Sequence, residues 1–239
     1  MPDEPVSATG LSPTDAKWAY DTIKAADPTH PVFLTEYARD ISAYRDSADI
    51  FLNDWYPFGN SSNPMYDMKD RITWMKAQVA PKPMWPIIQT GSQFGMPTNA
   101  QIRASTYLSI ALGSTGVIFY SYDVVDRGGL HNIKTDGDPV FLKHLIGELK
   151  NFSPVFLGAT SNALTYNASH IDAILKTHNG KSYLIAVNKS NGSQNITFSL
   201  RGLGNAKATV VGSADAGSSR VGQTRQLSAR RASCRPAAH

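Results

Sequence analysis

Four short apolar segments alternate with amphipathic segments over the first two thirds of the chain. The apolar segments are 31–37, 48–56, 83–90 and 116–122. Their continuous hydrophobicity is typical of parallel strands that are covered on both faces. The other segments repeat apolar residues at spacings of three and four, which predicts helices at 13–26, 63–79, 98–112 and 139–150. This alternation predicts an α/β fold with a parallel sheet.

The pattern changes after Pro154, where short alternating segments replace the longer ones. They predict an antiparallel β domain with strands at 162–166, 171–176, 182–187, 195–200 and 207–211. An Asn179-Gly180 pair between the second and third strands favours a tight hairpin turn. The last residues show no periodicity and are expected to be disordered. The predicted domains are an α/β domain at 1–154, a small β domain at 155–212 and a basic tail at 213–239.

Composition and charge exclude several classes of function. The chain has 239 residues, of which 41% are hydrophobic and 18% charged, an ordinary globular composition. Its net charge of +4 comes from the tail, because segment 214–239 holds five arginines and one aspartate. We therefore expect no nucleic-acid partner. No apolar run reaches the roughly 20 residues of a membrane span, and no signal peptide is recognised, so a soluble protein of unknown compartment is expected.

Acidic, aromatic and amide side chains follow the ends of the four predicted strands. The carboxyl ends of parallel strands meet at one edge of a sheet, where the functional residues of βα folds gather. Two carboxyl groups can act on a glycosidic bond, and aromatic rings can stack on sugars. Each residue also has a structural interpretation, such as rim packing or a loop cap, but their coincidence favours a site. The residues are Glu36, Asp54, Trp55, Tyr56, Gln89, Tyr120, Tyr122 and Asp123, and a further acidic pair is Asp3-Glu4.

Longer motifs in the same order strengthen this interpretation. They include Asp27-Pro28-Thr29-His30-Pro31-Val32, Asp54-Trp55-Tyr56-Pro57, Lys82-Pro83 and Gly116-Val117-Ile118-Phe119-Tyr120. Together they resemble the second half of (β/α)8-barrel glycoside hydrolases, in the clan of cellulases, β-glucosidases and β-galactosidases. The resemblance implies that 1–154 is a partial, half barrel of the TIM type, running from the end of barrel strand four through helix eight. It also implies that 155–212 is a small β-sandwich.

The resemblance implies a role for Glu4. In that clan a glutamate in an Asn-Glu-Pro context ends barrel strand four and is the general acid/base, and Pro2-Asp3-Glu4-Pro5 stands in the matching place. Gln89 occupies the position of the nucleophile, and a neutral amide cannot form a glycosyl-enzyme. The second carboxylate is therefore expected to be Glu36, with Asp54 or Asp123 as alternatives. Inverting chemistry, or binding alone, also stays open.

The sequence thus predicts a hydrolase of β-linked glucosides or related glycans. Protonation of the leaving group requires a neutral Glu4, so we expect burial to raise its pKa. Neither a cofactor nor a metal is expected, because the histidines and the single Cys234 lack metal-ligand spacing. The alternative is a non-catalytic carbohydrate-binding or structural remnant, which Gln89 favours. The residues expected to contact sugar are Trp55, Tyr56, Gln89, Tyr120 and Tyr122.

The resemblance starts in the middle of a barrel, since Met1 stands just before the acid/base motif. A complete barrel takes about 250 residues, and an open four-stranded sheet exposes two edges and an apolar face. We expect either a fragment of a longer protein or a homo-oligomer, a dimer or larger, that buries the open edge. Full-length relatives are expected to be secreted. The tail after Val211 is expected to be out-of-frame translation or a basic linker.

Overall fold

The computed structural model describes residues 3–37, 40–123 and 131–202. Its larger sheet has four parallel strands in the order β1-β2-β3-β4. These strands are β1 Phe33–Glu36, β2 Ile50–Asp54, β3 Met84–Gln89 and β4 Ile118–Tyr120. All four predicted strands are present, each one or two residues shorter at both ends than the apolar pattern. The prediction of a mixed α/β fold with a parallel sheet is confirmed.

Helices precede and connect these strands. They are α1 Pro5–Thr9, α2 Pro13–Ala26, α3 Pro64–Val79, α4 Asn99–Ala111 and α5 Pro139–Phe156. Ser12 caps α2, and Thr98 forms a capping box with Gln101 at the start of α4, which is why both helices begin where the sequence predicts. The short α1 and a 3₁₀ helix, Ser42–Ser47, were not predicted. Within the described ranges, every helix falls short of the length and hydrophobicity of a membrane span.

The fifth helix continues beyond its predicted end. Pro154 lies inside α5 and cannot donate to the carbonyl of Lys150, which would normally stop a helix. The Ser153 hydroxyl donates to that carbonyl instead, over 2.9 Å. The helix therefore runs to Phe156, and the expected domain boundary at 154/155 falls in its last turn.

The two faces of the parallel sheet carry different apolar clusters. Alternation along the strands turns Leu34, Phe51 and Ile88 toward the helices, where they join the main core. Ile50, Leu52 and Ile87 lie on the opposite face, which we call the second face, and form a smaller cluster. The side chains that pack partly buried around this smaller cluster are Phe33, Tyr56, Trp85, Ile118 and Tyr120.

The rest of the described chain is antiparallel. Its strands are β5 Ala159–Thr160, β6 Leu164–Thr165, β7 Ile171–His178, β8 Lys181–Asn188 and β9 Ser199–Leu200, in two sheets ordered β5-β7-β8 and β6-β9. The predicted hairpin is confirmed, with Asn179 at φ 49° and Gly180 at φ 71° between β7 and β8. Val187 belongs to the main core, so the hairpin packs against the helical layer. The predicted strand 207–211 and the tail lie outside the described residues.

Candidate functional site

Two carboxyl groups meet at the carboxyl end of the parallel sheet. Asp54 is the last residue of β2, and Glu4 immediately precedes α1, which packs against β1. The Glu4 side chain lies close to that of Asp54, and Asp3 and Glu36 are close enough to act on both electrostatically. This edge of the sheet therefore concentrates negative charge, as the sequence predicts.

Glu36 positions the segment that carries Glu4. Its fully buried carboxylate accepts hydrogen bonds from the backbone nitrogens of Val6, at 3.1 Å, and Ser7, at 2.9 Å. The Ser7 hydroxyl and the backbone nitrogen of Tyr37 donate to its other oxygen. Unpaired N–H groups and the positive dipole end at a helix start attract a carboxylate. Both carboxylate oxygens of Glu36, the first choice for the second carboxylate, are thus occupied by hydrogen bonds. Asp54 is instead the carboxylate that lies beside Glu4.

The environment of Glu4 favours its protonated form. Burial raises the pKa of Glu4 to about 7, and the neighbouring charges of Asp54 and Asp3 act in the same direction. The raised pKa and its main cause agree with the expectation for a general acid. Glu4 also has φ 44°, in the left-handed region that a non-glycine residue adopts at a cost of about 1–2 kcal/mol. Such strain is concentrated at functional sites.

The pKa of Asp54 is raised as well. Burial raises the pKa of Asp54, and the charges of Asp3 and Glu36 add to this effect. The Tyr56 hydroxyl and Glu4 act in the opposite direction but do not outweigh burial, so the pKa stays raised. Both carboxyls at this edge therefore hold a proton more tightly than they would in water.

Three consecutive residues at the end of β2 carry buried polar atoms that find no hydrogen-bond partner among the described residues. The atoms are Nδ2 of Asn53, Oδ1 of Asp54 and Nε1 of Trp55. Native proteins leave few such groups, and a run of three calls for a polar ligand or ordered water. Sequence reasoning did not identify Asn53, whose only signal was its place next to Asp54 at a strand end.

The predicted sugar-contacting aromatic residues divide between the two faces of the sheet. Tyr56 and Tyr120 stack with ring centroids 5.4 Å apart and an interplanar angle of 22°, on the second face with Asp54. Trp55 faces the helical side, where the guanidinium carbon of Arg71 lies 4.3 Å from its ring centroid. Tyr122 is 56% exposed beyond the end of β4. Only the tyrosine pair is therefore beside the carboxyl groups.

Gln89 and Asp123 are occupied by other contacts. The buried Gln89 amide accepts from the Phe58 nitrogen and donates to the Phe58 carbonyl, both at 2.9 Å, and also to Ser92 and Gly95. It therefore holds two loops together. Asp123 forms an ion pair with Lys134 and is not among the charges that raise the pKa of Glu4. From the sequence, Glu36 could also pair with Arg39 and Asp123 could hold the turn at 127–129, but Arg39 and that turn lie outside the described residues.

Neither a metal-binding group among the described residues nor similarity to a known protein identifies the function of the site. In the part of the chain that the structure describes, no group of three or more His, Cys, Asp or Glu side chains is arranged to hold a metal ion. No family model, curated protein or solved structure matches the chain. The geometry of the site is therefore the basis for a functional assignment.

Proposed function

We propose that the chain is a glycoside hydrolase of β-linked glucosides or related glycans, with Glu4 as general acid/base and Asp54 as the second carboxylate. The observation that carries the proposal is the pair itself, in which Glu4, with a pKa raised to about 7, lies beside the buried Asp54 at the end of a parallel sheet. Pairs of carboxyls whose environments separate their protonation states are typical of glycosidases. The Tyr56–Tyr120 stack beside the pair supports an aromatic sugar contact.

The proposed reaction divides the work between the two carboxyls. Glu4 transfers its proton to the glycosidic oxygen as the bond from that oxygen to the anomeric carbon breaks. Asp54 either takes a proton from the water that attacks the anomeric carbon, or attacks that carbon itself to form an ester that water then hydrolyses, with the deprotonated Glu4 taking the proton of that water. Inverting enzymes place such carboxyls about 6.5–9.5 Å apart and retaining ones about 5 Å apart. The anomeric configuration of the product therefore distinguishes the two routes.

A groove on the second face offers room for the substrate. It has a volume of about 470 Å³, within the range of small-molecule sites, and Asp3, Thr35 and Leu52 contribute to its lining. Leu52 lies two residues before Asp54 on the same face of β2, so the groove leads toward the carboxyl pair. We propose that this sheet is a partial TIM-type barrel whose second face is the barrel interior, and that the antiparallel strands form a small β-sandwich.

Self-association is part of this proposal. In the described sheet, β1 and β4 are the outer strands, and each presents one unpaired edge. Several large side chains of the second face, including Phe33 and Trp85, are only partly buried. A homo-oligomer, a dimer or larger, would cover these edges, and light scattering at several protein concentrations measures it. A mass equal to one chain at every concentration would exclude it.

The second candidate is a protein that binds carbohydrate without cleaving it. The observation that favours it is the saturation of Gln89 and Glu36, since the loops and α1 use all the hydrogen bonds seen at both side chains. Of these candidate residues, only Glu4 and Asp54 could then take part in cleavage of the glycosidic bond. Binding of glycans without turnover by the unmodified protein would make this candidate the better one.

Release of a chromophore from aryl β-glycosides tests the proposed reaction. We compare the unmodified protein with Glu4→Gln and Asp54→Asn, and use Asp21→Asn as the control because Asp21 forms an exposed ion pair with Lys17. General acid/base catalysis contributes about 10²–10⁴-fold, so each site variant should lose at least a hundredfold in rate while the control keeps its rate. Equal rates for Glu4→Gln and the unmodified protein would remove Glu4 from the chemistry.

A further inference from the structure

We infer that Arg71, held between Trp55 and Trp74, forms a subsite for an acidic sugar, one that carries a carboxylate. The inference rests on the proposed function, because it extends the glycan from the carboxyl pair over the neighbouring rim of the sheet. Its physical basis is an excess of hydrogen-bond donors on the helix-facing side of the end of β2, opposite to the side that carries Asp54.

Two indole rings hold the Arg71 guanidinium. Its central carbon lies 4.3 Å from the Trp55 ring centroid and 5.2 Å from that of Trp74, distances at which cation–π attraction is effective. Trp74 is 37% exposed, so this stack reaches the protein surface. The rings fix the plane of the guanidinium before any ligand binds, which lowers the entropic cost of a two-point contact.

Most N–H donors of the Arg71 guanidinium form no hydrogen bond to the described residues. Among the described residues its single hydrogen bond runs to the Tyr37 carbonyl at 3.4 Å, and no carboxylate pairs with it. Arg103 provides the contrast, since it also lies over an aromatic ring, that of Tyr107, but forms an ion pair with Glu148. A guanidinium presents five N–H donors, and a carboxylate satisfies two of them at once.

The neighbouring polar atoms on the same side of β2 are also donors. Trp55 Nε1 and Asn53 Nδ2 are both buried and find no acceptor in the described part of the chain. Alternation places residues 53 and 55 on one side of the strand, toward α3, and Asp54 on the other. A cluster of unmatched donors favours a ligand rich in acceptors, which a sugar carboxylate is.

The subsite lies next to the proposed reaction centre in the chain and at the same edge of the sheet. Trp55 directly follows Asp54, and Tyr37 directly follows Glu36, so both contacts of Arg71 come from the residues that leave the strand ends. Consecutive Cα atoms are about 3.8 Å apart. The residues that contact Arg71 are therefore the immediate chain neighbours of Glu36 and Asp54.

Calorimetric binding of two matched tetrasaccharides tests the inference. The first probe is cellotetraose, and the second is the same chain with its C6 hydroxymethyl groups oxidised to carboxylates. Both are titrated into Glu4→Gln protein, which prevents turnover, and into the same protein carrying Arg71→Gln, Arg71→Lys or Arg45→Gln. Arg45 is the matched control, because its hydrogen bonds run to the Gln78 carbonyl and it is remote in sequence from the stack.

We expect the oxidised probe to bind more tightly than cellotetraose, and Arg71→Gln to weaken it by about 10- to 100-fold without changing cellotetraose binding. Arg71→Lys should recover part of the loss, since it keeps the charge but not the planar fork. Arg45→Gln should change neither affinity. If cellotetraose binds and the oxidised probe gains nothing from Arg71, the inference is overturned and the proposed function stands. If neither probe binds, both are overturned.

Discussion

The Glu4 carboxyl lies beside that of Asp54 at the end of the parallel sheet, where burial and the charge of Asp54 raise the pKa of Glu4 to about 7. Two carboxylates this close cannot both be ionised without strong repulsion, so the pair retains one proton above the usual pH range of acidic side chains. The Tyr56 hydroxyl favours the ionised form of Asp54, although burial leaves the pKa of Asp54 raised. This difference is the basis of the separate roles proposed for the two residues.

The pH dependence of turnover should follow Glu4. Because the pKa of Glu4 is about 7, the fraction of protein with a protonated general acid falls as the pH rises through 7. We expect kcat/KM for an aryl β-glycoside to decline above about pH 7, with one proton lost. The residual rate of Glu4→Gln should show no such decline with pH. A decline that persists unchanged in that variant would refute the assignment of Glu4 as general acid.

The free energy of unfolding should also depend on the protonation of Glu4. The folded-state pKa of Glu4 lies above the ordinary value of 4.5, so the folded protein binds the proton more tightly than the unfolded chain. This contribution to the free energy of unfolding is fully present below about pH 4.5 and is lost as the pH rises to about 7. Relative to the unmodified protein, Glu4→Gln should therefore gain stability between pH 4.5 and pH 8. Urea unfolding at both values measures this, and an equal difference at both would contradict it.

Glu36→Gln should lower the stability of the folded protein rather than the rate of turnover. All four groups that bond the Glu36 carboxylate are donors, so an amide must turn its own N–H₂ toward one of them. Loss of a charge-assisted buried contact should lower the free energy of unfolding by about 1–3 kcal/mol. Urea titration measures it, with Asp21→Asn as the exposed carboxylate control. If activity vanished while stability stayed the same, Glu36 would be the second carboxylate after all.

Gln89→Glu should not restore a nucleophile. The Gln89 amide nitrogen donates to the carbonyls of Phe58 and Gly95, and a carboxylate in its place would face both oxygens without a proton. Burying an unpaired charge there should cost about 3 kcal/mol or more at pH 7. Thermal unfolding at pH 7 and pH 4 checks this, because protonation of the new carboxyl at pH 4 should recover part of the loss. A variant as stable as the original at pH 7 would disprove the contact.

Replacement of glycine by alanine should have opposite effects on stability at two positions. Gly180 has φ 71° in the hairpin and Gly147 lies inside α5, and an added Cβ meets no atom within 4 Å at either position. Gly180→Ala should cost about 1–2 kcal/mol through backbone strain. Gly147→Ala should gain about 0.5–1 kcal/mol through helix propensity. Urea unfolding of both variants measures the difference, and a neutral Gly180→Ala would argue against the turn.

The strands, most helices and the hairpin could be predicted from the sequence because their signals are local. Apolar periodicity, the Ser12 and Thr98 caps and the Asn179-Gly180 pair act within a few residues, and the structure has all of them. The helix α1 was missed for the opposite reason. Five residues are too few to form a stable helix alone, and it is held by Glu36 from a distant strand.

The strand-end rule also predicted which residues would share an edge, since parallel strands bring their carboxyl ends together. Only the tertiary structure decided which of them meet. It turned Glu36 toward α1 and Asp54 toward Glu4, paired Asp123 with Lys134, and used Gln89 to hold two loops. These outcomes depend on which face each side chain takes and on which distant backbone groups lack partners, and neither is encoded within a few residues along the chain.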